Sequence, residues 1–145
     1  MCIRDSTGTY TAGSIVLATS FAIGNPRKLS VDARGNIYIA DNTNDIVWFV
    51  DATTGYMRTI AGIYGKASGS TCTITDALGD NCAATLATLS PNSAMGIGVG
   101  PQGDVYISDS GDSRIRKVAL NTSSVSYTHL EDSPVETREP VPCRS

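Results

Sequence analysis

The sequence predicts an all-β fold built from repeated four-stranded antiparallel sheets. Short runs rich in β-branched and aromatic residues alternate with Gly-containing turns, a pattern that predicts strands joined by tight turns. One segment also occurs twice, because residues 25–50 align with residues 93–118. Within the two copies, GNIYIAD at Gly35–Asp41 matches GDVYISD at Gly103–Asp109 position by position. Four short antiparallel strands repeated along a chain are the unit of a β-propeller, which we therefore predict.

The first copy predicts a complete blade over about residues 25–62. A short strand, a turn closed by Gly35, a second strand that ends at Asp41 and a polar turn lead to the apolar strand Ile46–Val50. A further Gly-containing turn introduces the fourth strand, Tyr56–Ala61. Since Ile46–Val50 carries apolar residues on both faces, we expect a blade that neighbouring structure covers on both sides.

The second copy predicts most of another blade over about residues 93–124. An insertion over about residues 63–92 separates the two copies, and Gly13–Phe21 lies where the fourth strand of a preceding copy would fall. When Ile46 is aligned with Ile115, the turn before the third strand has one residue fewer in the first copy. The prediction is thus a partial β-propeller of about two four-stranded blades plus a strand of a preceding blade.

Both ends of the chain resemble translated sequencing adapter. Met1–Ser6 (MCIRDS) and the VSYTH that begins at Val125 are translations of one DNA word read in opposite orientations, and that word resembles the transposase end sequence used in preparing sequencing libraries. We therefore expect residues 1–6 and 125–145 to be adapter-derived or out of frame, and disordered. Residues 7–124 are then a propeller fragment, because a propeller closes only with roughly four to eight blades.

The charge balance predicts no strongly charged partner. The three Glu and the single His of the chain all lie in residues 126–145, so residues 7–124 contain neither type. These residues carry nine Asp against eight Lys and Arg, a net charge of −1. Such a balance gives no pull toward nucleic acid or an anionic membrane, and a nucleic-acid partner is not expected. The apolar runs are far shorter than the ~20 residues of a membrane-spanning helix, so no membrane span is predicted.

Two cysteines lie inside the insertion. Cys72 and Cys82 bracket the Gly-, Asp- and Thr-rich stretch CTITDALGDNC, which fits a disulfide that closes a loop. A pair of unlinked thiols is the alternative. Because disulfides persist in oxidising compartments, a linked pair predicts an extracytoplasmic or secreted location.

The repeated residues resemble the NHL repeat of β-propellers. The resemblance rests on Pro26, GNIYIAD and Thr59–Gly62 in the first copy, and on GDVYISD, Ser110–Ser113 and Arg114–Val118 in the second. The insertion, with a Gly/Asp turn before an Ala/Leu-rich stretch and a Ser-Pro, is similar to that of bacterial members. The resemblance implies a binding scaffold that holds a protein, a glycan or a small ligand with loops on one face.

A propeller enzyme is the alternative function. Gluconolactonase-like hydrolases and amidating lyases have related propellers, and the stretch from Ser20 to Pro26 is similar to the first group. Such enzymes need oxygen ligands that usually include Glu, or zinc held by His. Residues 7–124 contain neither type, so we expect any catalytic residues in missing blades and assign no catalytic residue, metal ligand or cofactor here. Calcium stays an alternative that no loop of the sequence supports.

Polar residues follow the second strand of each copy and are the candidate binding residues. Asp41 and Asp109 could contact a ligand or Ca²⁺ on a propeller rim. Their recurrence at one structural position favours a different role, that of turn formers that accept hydrogen bonds from nearby backbone N–H groups. The candidate binding residues are Asp41, Asn42, Asp109, Asp112, Arg114 and Arg116.

Three basic residues lie close together in the second copy. Arg114, Arg116 and Lys117 have no interleaved aromatic residues, so they make a poor nucleic-acid footprint. We expect a solvated strand end that pairs with Asp112 or Asp104.

Overall fold

The computed structural model describes residues 10–65, 79, 82–90 and 95–119, and the backbone of residues 127–129. Over these residues the chain consists of two antiparallel sheets and two single 3₁₀ turns, so the predicted all-β class is confirmed. The strands of each repeat form a meander in which consecutive strands are hydrogen-bonded neighbours, as in a partial β-propeller. The described residues contain no helix with the length and hydrophobicity of a membrane-spanning segment.

The first sheet contains β1 (Val16–Leu17), β2 (Pro26–Val31), β3 (Ile37–Asp41), β4 (Ile46–Val50) and β5 (Tyr56–Ala61). Their spatial order is β1-β5-β4-β3-β2, so β2 to β5 form the blade predicted for the first copy. The strand predicted upstream exists as β1, but it joins this sheet instead of a preceding blade, because Val16 and Leu17 pair with Met57 and Tyr56 of β5. The outer edge of β5 offers unpaired N–H and C=O groups, which the upstream chain fills.

The second sheet contains β6 (Gly96–Val99), β7 (Val105–Asp109), β8 (Arg114–Val118) and β9 (Tyr127–His129), paired in that order. β9 lies in the tail for which we predict disorder, and this expectation is wrong for the backbone of its three residues, which pairs with β8. The outer edge of β8 would otherwise be open, and Tyr and Thr favour extended strands. The DNA origin of the tail stays a prediction.

The strand register places the two copies in one-to-one correspondence. Asp41 pairs with Ile46 across the turn after β3, and Asp109 pairs with Arg114 across the turn after β7. Ile46 therefore corresponds to Arg114, and the alignment of Ile46 with Ile115 is wrong by one position. The two turns have the same length, and the shorter turn predicted for the first copy does not exist.

A shared apolar core joins the two sheets. The first sheet contributes Tyr38, Ala40 and Val47, and the second contributes Ile107 and Val118, each at most 2% exposed. Burial of this apolar surface stabilises the pair of blades, since neither sheet could cover it alone. The chain between the blades enters the same core through Ala84, Ala87, Leu89 and Met95.

An aromatic cluster covers the opposite face of the first sheet. Trp48 on β4 is fully buried, and its ring lies edge-on to Tyr10, with 4.7 Å between centroids. Phe21 and Tyr64 complete the cluster from the chain before and after the blade. The first blade is therefore apolar and covered on both faces, as the pattern of Ile46–Val50 predicts.

The second blade differs on its outer face. Ile115 corresponds to Val47, and both side chains point away from the Asp41 and Asp109 face of their sheets. Val47 is fully buried in the core that the two sheets share, whereas Ile115 is 46% exposed.

Candidate functional site

The turns of the two blades collect at two ends of the sheets. The turns after β3 and β7 lie at one end, which we call the Asp end because Asp41 and Asp109 precede them. The turns after β2, β4 and β6 lie at the opposite end, since consecutive turns of a meander alternate between ends. We call it the Gly-turn end, because Gly35, Gly55 and Gly103 close these turns with φ between 71° and 87°.

Asp41 organises the Asp end of the first blade. Its carboxylate is fully buried and accepts hydrogen bonds from six donors. The backbone N–H groups of Gly24 and Asn25 each donate at 2.9 Å, and Nε1 of Trp48 donates at 3.0 Å. The remaining donors lie in the turn itself: the N–H of Thr43, the N–H of Asn44 and Nδ2 of Asn44.

These hydrogen bonds keep the Asp41 carboxylate charged. Burial alone would raise its pKa, but the donors outweigh burial, and the pKa of Asp41 is held below its usual value. The bond from Thr43, two residues on, is the turn-forming contact that the sequence predicts. The bonds from Gly24 and Asn25 add a second task, because they tie the chain entering the blade to the turn after β3.

The second blade builds the same junction with a different donor. Arg116 corresponds to Trp48, and its Nε donates to Oδ2 of Asp109 at 3.0 Å, the distance between Trp48 Nε1 and Oδ2 of Asp41. The N–H of Ser90, from the chain entering this blade, donates to Oδ1 of Asp109 at 3.1 Å. Since Arg116 is 1% exposed and Asp109 is fully buried, the junction contains a buried salt bridge.

The basic cluster of β8 is only partly solvated. Arg116 Nη2 also meets Asp112 at 3.2 Å, and Lys117 pairs with Asp104 at 2.8 Å, so the predicted pairing with these aspartates is confirmed. The expected solvation is wrong for Arg116, because strand alternation turns its side chain toward Asp109 and the inter-sheet core. Burial raises the pKa of Asp109 and repulsion from Asp112 adds to this, while the charge of Arg116 offsets part of it.

The structure thus divides the predicted binding residues between the two Asp-end junctions. Asp109, Asp112 and Arg116 meet in the second blade, whereas Asp41 belongs to the first. Asn42, next to Asp41, is 6% exposed. Arg114 is half-buried at the start of β8. The contacts assign the two aspartates a structural task, and a ligand-binding role for the six residues stays a prediction.

A cleft at the Gly-turn end lies between the two blades. Its volume of about 540 Å³ falls within the ~300–1,000 Å³ typical of small-ligand sites. One wall is the turn after β2 with adjoining side chains of the first sheet, and the other wall is the turn after β6. The charged, amide and aromatic side chains that the first sheet and its turn contribute to the cleft are Asp32, Arg34, Asn36, Tyr38, Phe49 and Arg58.

Asp32 organises the first wall of the cleft. Oδ1 accepts from the N–H groups of Arg34 and Asn36, and Oδ2 accepts from Nδ2 of Asn36 and the hydroxyl of Tyr38. Burial opposes ionisation, but these hydrogen bonds hold the pKa of Asp32 below its usual value. Burial and the charge of Asp32 raise the pKa of Tyr38 to about 12, so its hydroxyl stays a donor.

Two arginines line the cleft, and their guanidinium groups have no carboxylate partner among the described residues. Arg58, on β5, lies over the ring of Phe49 with 5.0 Å from Cζ to the centroid. Arg34 is exposed in the turn after β2, and only its backbone N–H is engaged by Asp32. In the second blade Gly100 stands at the position of Asp32, so the facing wall has no matching carboxylate.

Sequence reasoning missed this cleft. Arg34 and Arg58 belong to different elements, and no local spacing links a turn residue to a side chain on the fourth strand. The one available signal was the charged Arg58 within the otherwise apolar-rich strand YMRTIA. Its significance depends on the tertiary contact with Phe49, which spacing does not reveal.

The described residues hold no cluster of three or more His, Cys, Asp or Glu placed to bind a metal ion. Cys82 is buried, at 2% exposure. Cys72 lies outside the described residues, so the Cys72–Cys82 disulfide and the location it implies stay predictions.

Paired four-stranded meanders that share a core define this chain as part of a β-propeller repeat protein. The family model described as the Teneurin NHL domain matches residues 9–119. The chain therefore belongs to the Teneurin NHL domain family, and the expected NHL-repeat identity is confirmed. Membership supports a propeller-type interaction scaffold. A search of curated proteins gave no match.

Proposed function

We propose that this chain is part of a non-catalytic binding scaffold that holds its ligand with the loops at the Gly-turn end. Family membership supports a scaffold of this kind, and the finer assignment depends on how the two ends use their polar groups. At the Asp end, the buried carboxylates of Asp41 and Asp109 are engaged by donors of their own blade. They hold the chain in place, which is a task that a ligand would disturb.

The observation that carries the proposal is the inter-blade cleft of about 540 Å³. It is concave, it lies between two sheets that share a core, and it presents charged, aromatic and amide side chains. Rigid sheets that position loop residues are the usual basis of binding in repeat folds. A small ligand, a sugar unit of a glycan or a single protein side chain fits this volume.

A fragment screen by amide NMR tests the location of binding. The 145-residue chain is titrated with a set of small polar fragments, and shift changes are mapped onto the two ends. We expect the changes to cluster at residues 32–36 and 100–104. Changes confined to residues 42–45 and 110–113 would contradict the proposal. Turnover of a lactone by the same chain would contradict the non-catalytic assignment.

A further inference from the structure

We propose that the inter-blade cleft binds an oxyanion, the carboxylate or phosphate of a small ligand, with Arg34 and Arg58 as its charged contacts. This inference rests on the proposed function and adds the chemistry of the ligand. An arginine presents a planar fork of N–H donors that matches carboxylate and phosphate oxygens, and it stays charged at any physiological pH.

The charge of the cleft is positive once its carboxylate is accounted for. Asp32 accepts four hydrogen bonds, two on each oxygen, and a carboxylate has about four acceptor positions. Its oxygens are therefore committed to the turn and to Tyr38. Arg34 and Arg58 supply two positive charges against this one negative charge, and their side-chain N–H groups make no hydrogen bond or ion pair to the described part of the chain.

The arrangement also favours an anion because part of it is held in place before binding. The ring of Phe49 supports the guanidinium of Arg58, with 5.0 Å from Cζ to the ring centroid. The hydrogen bond from the Arg34 N–H to Asp32 fixes the backbone that carries the second guanidinium. The opposite wall, the turn after β6, contributes no carboxylate to the cleft lining, and the Asp104 carboxylate of that turn is paired with Lys117.

Three sugars of similar size serve as probes of the charge. Glucuronate carries a carboxylate, glucose 6-phosphate carries a phosphate, and glucose is neutral. Each is titrated into the 145-residue chain at low ionic strength, with amide shifts at residues 32–36 and 100–104 as the readout. We expect saturable binding of at least one of the two anions and no binding of glucose at the same concentration. The anion that binds more tightly shows whether the cleft prefers a carboxylate or a phosphate.

Variants of the two arginines test the contacts. Arg34→Gln and Arg58→Gln should each weaken the anion by about tenfold or more, as expected for a charged hydrogen bond lost. The affinity of Arg58→Lys for the anion should lie between the affinities of Arg58→Gln and the parent. The matched control is Arg27→Gln, an exposed arginine of β2 outside the cleft, which should bind like the parent. Amide spectra verify that each variant is folded, and the Arg34→Gln turn variant tests the inference even if Arg58→Gln unfolds.

The outcomes separate this inference from the proposed function. Equal binding of glucose and the anions in the cleft, or anion binding unchanged in both Gln variants, overturns the oxyanion assignment and leaves the scaffold intact. Absence of any anion binding also overturns it. Shifts confined to the Asp end overturn both.

Discussion

Asp41 and Asp109 perform the same task with different partners. Each ends the second strand of its blade and receives a donor from the third strand at 3.0 Å, an indole N–H from Trp48 in one case and a guanidinium N–H from Arg116 in the other. The indole is neutral and the guanidinium is charged, so the first junction is a network of hydrogen bonds and the second is a buried ion pair. The two junctions should therefore respond differently to substitution.

Replacement of Asp41 by Asn should destabilise the chain by about 2–4 kcal/mol, because an amide nitrogen would face donors that now meet a charged oxygen. Urea denaturation at pH 7 measures this loss. Asp51→Asn is the matched control, since Asp51 accepts the N–H groups of Thr53 and Thr54 in an exposed turn and should matter much less. Equal losses for the two variants would contradict the structural role of Asp41.

The lowered pKa of Asp41 predicts that the stability of the chain depends on pH. The folded-state pKa of Asp41 lies below its unfolded value, so its contribution is fully present above the unfolded pKa and is lost as pH falls through the folded pKa. Between about pH 5 and pH 2 the parent should lose stability more steeply than Asp41→Asn. Parallel stability curves over that range would count against this assignment.

Arg116→Met should cost about 3–5 kcal/mol, because it leaves the buried Asp109 without its compensating charge. Addition of Asp109→Asn to this variant should recover part of the loss, since the stranded charge is removed. Lys117→Met is the control, because the Lys117–Asp104 pair is partly solvated. Thermal or urea unfolding measures all three, and a loss no larger than that of the control would refute the buried ion pair.

Sequence reasoning captured the local part of these junctions. The recurrence of Asp41 and Asp109 predicts turn formers, and the bond from Thr43 is of that kind. The donors at Gly24 and Ser90 lie far away along the chain, so no turn rule could identify them. The strand register establishes the exchange of Trp48 for Arg116, because it excludes the alignment of Ile46 with Ile115.

The glycines of the turns fall into two physical classes. Gly62 has a φ of 83°, and a Cβ there would overlap the backbone of Asp45 and Ile46. Gly55 has a φ of 71°, but a Cβ there meets no atom within 4 Å. Gly55 is thus needed for its conformation alone, whereas Gly62 is needed for its conformation and for close approach.

Gly55→Ala should cost about 1–2 kcal/mol, the strain of a left-handed alanine. Gly62→Ala should cost at least about 3 kcal/mol, because the backbone it strikes cannot give way as a flexible side chain would. Unfolding midpoints of the two variants provide the comparison. A similar loss at both positions would show that the turn after β3 does not approach Gly62 as described.

Strand positions were predictable where a run was rich in β-branched, aromatic and other apolar residues between turn signals. β5 has the bounds predicted for it, Tyr56–Ala61, and the third strand of the first copy is β4, as predicted. The pairing of β1 was not predictable, since a short β-prone segment can join any open edge nearby and only the tertiary structure shows which. The same reason explains why the tail supplies β9.

The two blades stabilise each other through a core that neither could bury alone. The apolar pattern on both faces of β4 predicts this stacking, and the core between the sheets confirms it. The cleft was beyond prediction, because it arises where two turns from different repeats meet. Distances between repeats depend on packing, which one-dimensional patterns do not encode.

The pairing of β9 with the outer edge of the second blade predicts a difference in hydrogen exchange. A chain that ends at Ser124 lacks β9, whereas a chain that ends at His129 keeps it. Because the outer edge of β8 would lose its partner, amides of residues 114–118 should exchange with deuterium faster in the shorter chain. Mass spectrometry of exchange measures the difference. Identical protection in both chains would mean that β9 contributes nothing to the sheet.

Stacking of the blades is best tested by one substitution made at two corresponding positions. Val47→Thr places a hydroxyl in the core between the sheets and should lower the free energy of unfolding by about 1–3 kcal/mol. Ile115→Thr places it on the half-exposed outer face of the second blade and should cost less than about 1 kcal/mol. Urea denaturation of both variants gives the comparison. Equal losses, or a larger loss at Ile115, would contradict the packing of the second sheet onto the first.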